Sequence, residues 1–149
     1  MTASFKSKTD PKTIPVTPIE TAVFEAWLGR EPKDIQAWVK SSGFRAKPGQ
    51  ISLVSAANGA LSRVLLGVEN HDGMWDYASL PTSLPTGSYR IDARMGAAGA
   101  TAAATGWALG GYKFDTYKSG KSRKLPTLVW PARADRARVN AMAGAISLV

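Results

Sequence analysis

From Gly96 to Gly106 the chain carries nothing bulkier than threonine: Gly-Ala-Ala-Gly-Ala-Thr-Ala-Ala-Ala-Thr-Gly, followed by Trp107-Ala-Leu109. Alanine favours helix, and the lack of bulk lets that helix lie with its backbone close to a sheet. Gly110-Gly111 predicts its stop, in the left-handed conformation. A strand-like run, Ser88-Tyr-Arg-Ile-Asp92, stands before the helix. A second, Leu125 to Trp130, stands after it, and another helical segment begins near Asp135. Strand, small-residue helix, strand, helix is the order of an α/β domain.

The totals agree. The 149 residues suit one domain, with 44% hydrophobic and 20% charged residues, which marks a globular chain. There is no cysteine, so a disulfide framework and a thiolate nucleophile are both excluded. No apolar run approaches the roughly 18 residues of a membrane span. Residues 1–12 are polar, lack the apolar segment of a signal peptide and read as a flexible arm. A cytoplasmic location is expected, with no membrane partner.

In chain order, Thr13-Ile-Pro-Val-Thr17 holds Pro15 and is followed by Pro18, which predicts an edge strand or extended lead-in. Ile19 to Leu28 has apolar residues at helical spacing, and a second helix runs from near Pro32 to Gly43. Gln50–Ser55 and Leu61–Val68 read as a hairpin across Asn58-Gly59. Met74 to Leu80 predicts one short helix ended by Pro81. The last helix, from Asp135, carries Val139, Met142, Ile146 and Val149 on one stripe and has no stop signal, so the chain reads as cut from something longer. The sum is a mixed β-sheet of about five or six strands with helices on both faces.

Chemistry is harder to find. His71, the only histidine, has Asp72 and Asp76 nearby, but a metal site needs three or four convergent ligands and a turn is the better reading. No motif places a carboxylate to orient His71 for nucleophilic catalysis. Gly120-Lys121-Ser122 resembles the tail of a phosphate-binding loop, yet Asp115 stands where the pattern needs glycine. Gly96-Ala-Ala-Gly99 lacks the spaced dinucleotide fingerprint. No catalytic residue, metal ligand or cofactor is therefore expected within these residues.

Charge carries the remaining signal. The net charge is +8, and +6 of it falls between Lys113 and Arg138. Tyr112, Phe114 and Tyr117 interleave there with basic residues. A speculative nucleic-acid surface is thus Lys113, Lys118, Lys121, Arg123 and Lys124, with DNA the candidate partner. Its bland counterpart is a solvated loop, and the five tryptophans sit mostly at apolar-face positions.

The run Gly106-Trp-Ala-Leu-Gly-Gly-Tyr-Lys-Phe-Asp-Thr-Tyr-Lys118, the strand Leu128-Val-Trp-Pro131 and the helix after it resemble the end of the N-terminal domain of leucyl (cytosol) aminopeptidases. The resemblance is firmest over 104–145 and looser over the first 45 residues. It implies a macro-domain-like α/β domain over 13–131. Residues 132–149 would then start a linker helix leading to an absent C-terminal catalytic domain. That catalytic domain would hold two divalent metal ions, zinc or manganese, and remove N-terminal amino acids from peptides, so this chain alone should be inactive. The resemblance further implies a hexamer in the full-length protein, and a role for this domain in assembly and active-site access. The alternative is a free-standing basic module for nucleic acid or a nucleotide-like ligand.

Overall fold

A computed structural model describes residues 4–70, 73–117 and 126–147. The strands are β1 (Ser4–Lys6), β2 (Ile14–Glu20), β3 (Ile51–Ser55), β4 (Leu61–Val68), β5 (Ser88–Ile91) and β6 (Thr127–Val129). They form one sheet in the order β1-β6-β5-β2-β4-β3, antiparallel only between β3 and β4. The helices are α1 (Phe24–Gly29), α2 (Lys33–Ser42), α3 (Met74–Tyr77), α4 (Leu80–Ser83), α5 (Ala97–Tyr117) and α6 (Arg136–Ser147). The mixed, helix-flanked sheet expected from the sequence is what forms.

The hairpin falls where the turn signal put it. Gly59 takes φ +85°, and the Asn58 side-chain oxygen accepts from the Ala60 amide at 3.0 Å. Ser4–Lys6, in the stretch read as an arm, is a strand: it pairs in parallel with Thr127–Val129 at the sheet edge. The Lys6 ammonium then closes the following turn on Asp10 at 2.7 Å. That bond, aided by the Lys12 amide, holds the exposed Asp10 carboxyl below its ordinary 3.8.

β2 corrects a second expectation, because it lies in the middle of the sheet and not at its edge. The two prolines survive there through their placement. Backbone polar groups alternate in direction along a strand, and the Val16 carbonyl accepts from the Asp92 amide of the β5 side. Pro18 therefore faces β5, and Pro15 faces β4. Yet β5 accompanies β2 only over Ile14–Val16, and β4 joins it only from Val16 onward. Each missing N–H points to a place where no strand awaits it. Ile19 and Glu20 also belong to β2, so the helical spacing begins late, with a 3-10 turn at Thr21–Val23 before α1.

Alternation along β4 divides the core. Val64, Leu66 and Val68 join Val16, Tyr89 and Leu128 on one face, under Tyr77, Leu80, Leu84 and Trp107. Leu65 faces the other way, with Ile19, Val54, Phe24, Leu28, Val39 and Phe44 under α1 and α2. On that side Arg63 of β4 reaches across. Its guanidinium donates to Glu31 Oε1 at 2.7 Å and to Thr17 Oγ1 at 3.1 Å, with Trp27 at 5.6 Å beneath it.

The small-residue helix is longer than expected. α5 runs through Gly110-Gly111 to Tyr117. The glycines serve contact and not termination. A Cβ on Gly106 would overlap the Met74 carbonyl and come within 2.9 Å of Tyr77 Cβ; on Gly110 it would overlap the Ala78 carbonyl and come within 2.9 Å of Pro81 Cδ. The segment lying across them is two helices, α3 and α4, and not the one helix expected. Pro81 does not end a helix; it sits in the first turn of α4, where a missing N–H is harmless.

Gly110→Ala gains up to about 1 kcal/mol of helix propensity, but a backbone carbonyl cannot give way, so overpacking of about 1–3 kcal/mol wins. Thermal melts should show Gly110→Ala losing several degrees, whereas Gly29→Ala, with nothing within 4 Å of its Cβ, should lose nothing. Arg63→Ala leaves Glu31 half-buried and unpaired, and should cost about 2 kcal/mol in urea unfolding. Arg63→Lys should recover only part, because an ammonium lacks the fork and the flat face.

Candidate functional site

Among the described residues no three histidine, cysteine, aspartate or glutamate side chains come together as a metal site. Asp76, one of three residues weighed for that role, accepts the Glu69 amide at 2.9 Å and so braces a turn; His71 and Asp72 lie outside the described residues.

Of the five residues assigned to nucleic acid, Lys113 lies in the last turns of α5, with Tyr112, Phe114 and Tyr117 on the same helix. Lys118, Lys121, Arg123 and Lys124 lie outside the described residues, as does Gly120-Lys121-Ser122. The tryptophans divide. Trp107 is fully buried beside Tyr89, its indole N–H without a hydrogen-bond acceptor among the described residues. Trp130 stacks on Phe5 at 4.2 Å, with the Arg136 guanidinium 5.3 Å from its ring. Trp75 is 63% exposed.

The surface with most character is a groove of about 510 Å³ where α3, α5 and α6 meet. Its floor is the open side of the small-residue helix, Ala98, Thr101 and Thr105, and its walls are Met74 and Met142. Met142 remains 41% exposed on the stripe whose Val139 is fully buried against Ala104 and Ala108. α6 is moored to this groove at its start. Thr101 Oγ1 accepts the Asp135 amide at 2.9 Å, and Asp135 Oδ1 accepts the Arg138 amide at 3.0 Å, an N-cap. Neither the groove nor the mooring was legible in the sequence. A capping aspartate before Arg136 was the one available signal.

Comparison with known proteins decides the family. The model of the M17 aminopeptidase N-terminal domain matches residues 14–131. The chain belongs to the M17 aminopeptidase family, as its N-terminal domain. Among solved structures it is similar to the cytosol aminopeptidase from Coxiella burnetii, at 30% identity and a TM-score of 0.79 over 94% of this chain and 31% of that one. The bottromycin maturation enzyme BotP, solved with Mn, shares the fold at 21% identity and a TM-score of 0.60, over 91% of this chain and 30% of that one. A tomato leucine aminopeptidase mutant does so at 14% and 0.53, over 97% and 35%. A search of curated protein sequences gives no match. The chain thus spans about a third of the length of these structures.

Asp135→Ala removes the N-cap and should cost about 0.5–2 kcal/mol. Amide exchange should accelerate over α6 while the β2–β4 amides keep their protection; uniform acceleration would contradict this local mooring.

Proposed function

We propose that this domain is the non-catalytic N-terminal part of a metal-dependent leucyl aminopeptidase. The observation that carries the reading is the family match over 14–131 in a chain a third as long as its structural relatives. The full-length protein would remove N-terminal amino acids from peptides, using two divalent metal ions, zinc or manganese, held outside these residues. Two metals can activate a bridging water and polarise the scissile carbonyl. Residues 132–149 would lead from this domain into the catalytic one, along α6. The domain's own task would be assembly of a cytoplasmic hexamer and control of access to its active sites. The α3–α5–α6 groove, with the exposed Met142 on its wall, supports that role as the face meeting the rest of the protein.

The test is an assay of leucine p-nitroanilide hydrolysis with added Mn²⁺. The 149-residue chain should give no turnover, and the full-length gene product should give it. Turnover by the chain alone would place catalytic groups within it and refute the reading.

A further inference from the structure

At the carboxyl ends of the parallel strands β5 and β6, a second pocket of about 370 Å³ opens between the segments Ile91–Met95 and Pro131–Arg133. Ligands of open α/β sheets bind at this end of the strands. Two guanidiniums line the pocket, Arg94 and Arg133. Arg45, Arg63 and Arg90 each hold a carboxylate, but among the described residues Arg94 and Arg133 hold none. The flanking acids are already engaged. Asp92 sits on Arg90 at 3.2 Å, and Asp135 caps α6 through the Arg138 amide. Among the described residues the pocket therefore keeps an uncompensated double positive charge.

Two further features agree. Arg133 holds φ +72°, a left-handed conformation that costs a non-glycine residue about 1 kcal/mol or more. The remaining wall is apolar, Ile91, Met95 and Pro131, and Met95 is fixed by the buried Tyr77, whose hydroxyl donates to its sulfur at 3.8 Å. We propose that this pocket binds a small phosphate-bearing ligand of mononucleotide size, its phosphate between Arg94 and Arg133 and its less polar part on Ile91, Met95 and Pro131. Guanidinium forks match phosphate oxygens in pairs. The volume lies near the lower end of small-molecule sites, which suits a mononucleotide. The site is separate from the aminopeptidase reading, and its failure would leave that reading untouched.

The experiment titrates the 149-residue chain with AMP, inorganic phosphate and adenosine, followed by calorimetry and by backbone amide shifts. AMP and phosphate should bind, adenosine far more weakly, with shifts concentrated at 91–95 and 131–133. Arg94→Gln and Arg133→Gly should each weaken AMP binding by roughly tenfold or more. Arg133→Gly should also raise the melting temperature, because glycine relaxes the turn; a loss of affinity then cannot come from unfolding. No binding of AMP or phosphate would overturn the proposal. So would AMP affinity unchanged in the double variant, or binding confined to an oligonucleotide.

Discussion

The domain depends on how closely two backbones can meet. α3 and the turn after it lie on α5 with the Met74 and Ala78 carbonyls against Gly106 and Gly110, too near for any side chain. That approach lets Tyr77, Leu80 and Leu84 reach past α5 to the sheet and bury Trp107 among them. α6 then closes on the neighbouring face of α5, where Ala104 and Ala108 leave room for Val139. A helix that touches something on nearly every side needs small residues more than it needs apolar ones.

The same fact explains what the sequence concealed. Gly110-Gly111 looks like a stop because glycine is usually valued for its dihedral freedom; here it is valued for its size, and only the opposing helix reveals that. Pro15 and Pro18 looked like marks of an edge because a central strand normally bonds on both sides along its whole length. β2 changes neighbours at Val16, and the rule does not reach a strand flanked in two halves. Legible features were those set locally: the Asn58-Gly59 hairpin, the α2 stop at Gly43 and the alternation that buries β4. β1 was not, since three residues give no periodicity to read.

The functional surfaces were less legible still. Each is assembled from segments far apart in sequence. The groove needs Met74, Thr101 and Met142; the arginine pocket needs the ends of β5 and β6. Charge counting drew attention to Lys113–Lys124 and passed over Arg94, which follows Asp92 by two residues and yet is not paired with it in space. The decisive residues were solitary in the chain and neighbours only in the fold.

One topological detail bears on how such a domain is made. In the sheet order the strand nearest the amino end, β1, sits beside the strand nearest the carboxyl end, β6, and nowhere else. During vectorial synthesis β1 leaves the ribosome early and has no partner until β6 follows it out. Phe5 meanwhile lacks Trp130, the ring it stacks upon. Nearly the whole domain forms the loop that this pairing must close, so it belongs among the slow, high-contact-order steps of folding. Until β6 emerges, β5 stands as an uncovered edge of the nascent sheet, opposite the permanent edge at β3.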